Sequence, residues 1–150
     1  MPRSAYPVVL LLAALLPVAA CGPTPQTSLK VGVVTLEVSG GFTGWDRIVT
    51  VQPDGAARIQ VLHGPTPSAA NHQLESAVLE RLHSLVSDPA FAQLESAYLP
   101  SPGGADLQDY TVTAEVGGRT IRTSSRDGAN PPPILREVLN ILSAILAQSA

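Results

Sequence analysis

Twice in this chain of 150 residues, a run of alternating apolar and polar side chains meets a tight-turn signal and doubles back. A run from about Arg47 to Gln52 reaches Pro53-Asp54-Gly55, after which Ala57, Ile59 and Val61 alternate with Arg58 and Gln60. Proline presets φ and glycine accepts a left-handed conformation, so these three residues turn the chain and the flanking runs form a hairpin. Further on, Tyr110, Val112, Ala114 and Val116 alternate with Thr111, Thr113 and Glu115. Gly117-Gly118 supplies the positive φ of a two-residue turn, and Arg119 to Thr123 returns with Ile121 on the inner face. Antiparallel pairing is thus encoded twice, and no βαβ repeat competes with it.

The remaining elements fit around these hairpins. Leu29 to Val38 is apolar and β-branched on both faces, which fits a strand buried on both sides or one with a bulge. Gly64 to Ser68 reads as a loop, and Asn71 as the cap of a helix whose stripe is Leu74, Val78, Leu82, Leu85 and Val86. Asp88-Pro89 restarts a short helix, with Phe91 and Leu94 docking it on the core. Asn130-Pro131-Pro132-Pro133 opens a last helix running through Leu135, Val138, Leu139, Leu142, Ile145 and Leu146. Ile134 and Ile141 widen its apolar face, to be covered by simple burial, a neighbouring helix or a partner. The expectation is one α+β domain over residues 29–150, ordered β-β-β-α-α-β-β-α. Its antiparallel sheet has about five strands, with helices packed on one face.

Residues 1–20 have a different character. Arg3 precedes an apolar run from Val8 to Leu16, and the small residues Val18, Ala19 and Ala20 lead to Cys21. Spanning a bilayer takes ~20 apolar residues, so this shorter run fits the central region of a secretory signal. Val-Ala-Ala-Cys resembles the lipobox of bacterial lipoproteins, in which the cysteine is acylated and becomes the first residue. That resemblance implies a signal peptide over 1–20, a lipidated Cys21 at the head of a tether over 21–28, and export to the cell envelope. The protein would be lipid-anchored to the bacterial membrane there. An ordinary signal peptide with an accidental cysteine, or an uncleaved anchor, are the alternatives.

Composition narrows the chemistry. The chain has nine basic and twelve acidic residues, and Arg3 is the only charge before Cys21, leaving eight against twelve. No basic cluster is present to neutralise phosphates, so nucleic acid is not an expected partner. One cysteine makes neither an internal disulfide nor a multi-cysteine metal site. On a shared helix, His72 and His83 would stand ~16 Å apart along the axis, too far for one ion. No Gly-x-Ser-x-Gly elbow or P-loop occurs, and Asp106 and Asp109 read as turn-forming or solvated acids more readily than as an acid–base pair. The sequence therefore advertises no catalytic residue, no metal site and no cofactor.

One segment looks shaped for contact. Ser39 leads into Gly40, Gly41, Phe42, Thr43, Gly44 and Trp45, where three glycines surround one of the chain's two phenylalanines and its single tryptophan. Aromatics anchor interfaces and glycines let a partner's backbone approach closely. Alternatively, the glycines shape a bulged turn and both rings fold inward.

Gly40-Gly41-Phe42-Thr43-Gly44 followed by Arg47 resembles the N-terminal signature of the emfourin family, protein inhibitors of thermolysin-like metallopeptidases. Leu79 to Leu94, with Leu82, Asp88, Phe91 and Leu94, is similar to the family's helix and its following Phe-x-x-Leu. Leu99 to Asp106, Tyr110-Thr111-Val112-Thr113, Gly118-Arg119, Asp127-Gly128-Ala129 and Pro133-x-Leu135 resemble its C-terminal half. The resemblance runs from about Leu29 to Leu146, while the lipoprotein leader and the stretch from Gln52 to Asn71 depart from the pattern. It implies an inhibitor of a thermolysin-like zinc metallopeptidase with no cofactor of its own, the zinc belonging to the target. Independently of the resemblance, the glycine-flanked aromatics suggest the physical hypothesis that residues 40–45 meet the protease, with Phe42 in an apolar subsite. The other readings are a non-inhibitory envelope lipoprotein that binds another protein or a ligand, and an enzyme built on an unadvertised polar constellation.

Overall fold

Alternation sorts each strand into a covered and an open side, and glycine turns return the chain antiparallel. The computed structural model describes residues 29–64, 66–101 and 104–149. Its strands are β1 (Val31–Gly40), β2 (Asp46–Val51), β3 (Ala56–His63), β4 (Ser68–Gln73), β5 (Ala97–Tyr98), β6 (Gln108–Val116) and β7 (Arg119–Arg126). The helices are α1 (Ser76–Ser87), the single-turn α2 (Pro89–Ala92) and α3 (Pro133–Leu146). One seven-stranded sheet results, ordered β4-β3-β2-β1-β6-β7-β5. It is mixed, because β5 runs parallel to β7 while the other pairs are antiparallel.

The α+β class stands, but five antiparallel strands become seven in a mixed sheet. The stretch expected to be loop and helix cap is β4, and Asn71 pairs with Arg58 instead of capping α1. Glu75 occupies the cap position of α1 without a side-chain bond. Ser68 to Gln73 carries no apolar alternation, so only its pairing with β3 makes it a strand. β5 is two residues long and pairs with distant sequence, which leaves no local periodicity to read. The last helix begins at Pro133 with Pro132, not Asn130, at its cap. His72 consequently sits on a strand and His83 on a helix.

Other local signals hold. Gly117 and Gly118 turn at φ 58° and 76°, and Gly55 closes the first hairpin at φ 86°. The register of β1 against β6 shifts between Val31 and Val34, the bulge that its two-sided apolar pattern allowed. Asp88 caps α2, its carboxylate accepting from the Ala90 amide at 2.8 Å, with Pro89 where a missing N–H is harmless.

The core lies on one side of the sheet. Val34, Leu36 and Val38 of β1, Val49 and Val51 of β2, Ile59 of β3 and Val112 of β6 are buried there. They meet Leu82 and Val86 of α1, Phe91 of α2, and Leu135, Val138 and Leu142 of α3. Ile134 and Ile141 are half-buried against this cluster, so burial accounts for the wide face of α3. Arg81 on α1 grips Glu137 on α3 with two hydrogen bonds of 2.7 and 2.8 Å. No helix among the described residues is long and apolar enough to cross a membrane.

Strand directions give the molecule two ends. At one, the loop end, lie the connections from β1 to β2, β3 to β4, β5 to β6 and β7 to α3. At the other, the turn end, lie Pro53–Gly55, Gly117–Gly118 and the entry into β1 at Leu29, where the Gly117 amide donates to Lys30.

Candidate functional site

Three glycines with positive φ bend the chain between β1 and β2: Gly40 at 82°, Gly41 at 74° and Gly44 at 59°. The Gly44 amide donates to the Gly41 carbonyl at 3.0 Å, closing a four-residue turn with Phe42 and Thr43 at its corners. The Gly41 amide is also engaged, donating to Leu107 at 3.1 Å and tying the turn to the strand entry beside it. A Cβ on Gly41 would lie 2.9 Å from Gln108 Cγ, so close approach as well as backbone hand requires glycine there.

Phe42, at the first corner, is 89% exposed. Burying such a ring is worth about 1.5–3 kcal/mol, so folding alone favours hiding it. Thr43 beside it is also exposed, and neither residue's backbone groups hydrogen-bond to any described residue. The two aromatics therefore part company. Phe42 points out, whereas Trp45 is half-buried, its indole at 3.6–3.7 Å from where a Gly64 Cβ would stand. Neither a fully inward nor a fully outward segment describes the loop, and the sequence held no local signal to divide the rings.

Beneath the turn the base is braced. Asp46 and His63 pair at 3.0 Å across β2 and β3. Gln108 accepts from the Tyr110 hydroxyl at 3.0 Å and exchanges bonds with Asp127: its amide donates to the carboxylate, and the Asp127 amide donates to its carbonyl. Burial first, then the Asp127 carboxylate, raise the Tyr110 pKa above the ordinary phenol value. The bonds between Gln108 and Asp127 join the start of β6 to the residue after β7 beneath the turn.

The candidate carboxylates do not converge. Asp109 lies within β6 and is locked by Arg126 through bonds of 2.8 and 3.0 Å, which raises the arginine's pKa further. Asp106 is exposed in the preceding loop, with a left-handed φ of 59°. His83 has a buried Nε2 without a partner among the described residues, and burial lowers its pKa. Among the described residues no three His, Cys, Asp or Glu side chains gather as for a metal. Cys21, expected to carry lipid, lies outside the described residues.

A cavity of about 300 Å³ with a mixed polar and apolar lining opens beside β6 and β7, lined by Tyr110, Ser125, Asp127, Arg136, Leu139 and Asn140 among others. Sequence reasoning missed it, because its walls come from distant segments. It missed two exposed leucines at the same end of the sheet, Leu62 and Leu99, for the same reason.

No protein-family model matches the chain, and no curated protein matches it.

Proposed function

We propose that this chain is a membrane-tethered protein inhibitor of a thermolysin-like zinc metallopeptidase. The observation that carries the proposal is Phe42, held almost fully in water at the corner of a glycine turn that is closed by its own hydrogen bond and tied to Leu107 by another. A ring presented this way enters an apolar subsite with little ordering cost, since the turn is already shaped. The unengaged backbone groups of Phe42 and Thr43 are free to pair with the exposed edge strand of a peptidase cleft, as in β-augmentation. The Gly41 amide is not, because Leu107 already takes it. Such an inhibitor needs no cofactor and no catalytic residue. Acylation of Cys21 would confine it to the cell envelope, each acyl chain contributing about 0.8 kcal/mol per buried methylene.

The test is inhibition of thermolysin by the full-length chain in detergent, followed over preincubation time. Tight inhibition with the inhibitor recovered uncleaved is expected, and Phe42→Ala weakens it by about 2 kcal/mol or more, roughly thirtyfold. Simple digestion of the wild-type chain without inhibition, repeated across several such peptidases, defeats the proposal. A second reading, a non-inhibitory envelope lipoprotein that binds a ligand, is favoured by the cavity at Tyr110 and Arg136.

A further inference from the structure

Four large apolar side chains stand exposed among the described residues, and three of them are at the loop end: Phe42, Leu62 at 45% and Leu99 at 63%. Leu62 is next to last in β3, where the strand finishes opposite the start of β2. Leu99 follows β5, whose parallel pairing with β7 sends it out of the sheet at that same end. In the strand order, β3 and β5 stand on either side of the β1–β2 turn, five strand spacings apart. At about 4.8 Å per spacing, the three side chains spread over roughly 24 Å.

The fourth side chain, Leu29 at 52%, is at the turn end beside Gly117. Leu29, the first described residue, is thus at the end opposite Phe42. The ten residues of β1 separate the two ends by roughly 30 Å. At the loop end Arg47, Arg126 and Arg136 are outnumbered by Asp46, Asp106, Asp109 and Asp127, leaving no cationic excess to draw a membrane or a polyanion. Three apolar points so far apart exceed one small ligand, but they fit one partner's share, about 800 Å², of a standard protein interface.

We propose that the loop end is a single docking surface for the peptidase, with Leu62 and Leu99 as flanking anchors on the cleft's two rims. This rests on the inhibitory reading of Phe42 and adds two specificity-determining residues to it. The partner approaches at the end opposite Leu29.

The experiment uses the full-length chain in detergent with thermolysin as probe, comparing Leu62→Ser, Leu99→Ser and Leu29→Ser, each checked by thermal melting. Leu62→Ser and Leu99→Ser should each weaken inhibition about fivefold to tenfold, while Leu29→Ser stays within about twofold of wild type. If either flanking variant inhibits like wild type while Phe42→Ala does not, the two-rim surface is overturned and the loop inhibitor stands. Equal loss in Leu29→Ser also overturns it, because the effect then has no polarity. A wild-type chain that inhibits nothing removes both proposals together.

Discussion

The chain has two phenylalanines, and the fold puts them to opposite uses. Phe91 sits in a helix of a single turn, yet it is wholly buried between that turn and the core. Phe42 sits in a turn of comparable size and is almost wholly exposed. Both turns are fixed locally, one by the Asp88 carboxylate and the other by glycines with positive φ. What differs is the floor: α2 lies against α1 and α3, while the β1–β2 turn overhangs the end of the sheet. An identical side chain thus serves cohesion in one place and is left available in the other.

The sharpest way to break this contrast is truncation. Phe91→Ala should cost about 3–5 kcal/mol in unfolding free energy by denaturant titration, because it removes a buried ring and leaves a cavity. Phe42→Ala should leave that quantity within about 0.5 kcal/mol of wild type while inhibition falls as described above. A large stability loss at Phe42 would mean the ring belongs to the core after all. Loosening the anchor instead of the ring, Asp88→Ala should cost about 1 kcal/mol by freeing the start of α2. The smallest effect is a pH dependence confined to the core side. Burial lowers the His83 pKa, so the unfolded chain takes up the proton first, and stability falls as pH drops through about 6.5 toward the lower native value. His83→Leu should flatten the melting temperature between pH 8 and pH 5.5, and an unchanged slope would locate the dependence elsewhere.

Much of this was legible where one short stretch decides the outcome. Pro53-Asp54-Gly55, Gly117-Gly118 and Asp88-Pro89 each specify their geometry from neighbouring residues, and all three form as their chemistry requires. What escaped depends on partners far along the chain. Ser68 to Gln73 is a strand because β3 offers it a ladder, and Asn71, a good cap in isolation, is drawn into that ladder. The candidate site divides in the same way. Its glycine turn could be read from Gly40, Gly41 and Gly44, but whether Phe42 or Trp45 faces water depends on Gly64 and Gln108, contributed from elsewhere.

Trp45 is the chain's single tryptophan, half-buried against Gly64 and three residues from Phe42. Every photon of indole emission therefore originates at the loop end, with no second source to subtract. A partner that closes over Phe42 dries the surroundings of this ring and shifts its colour, while the turn end stays optically silent. The molecule carries its own gauge of occupancy at the end where the proposed partner would bind.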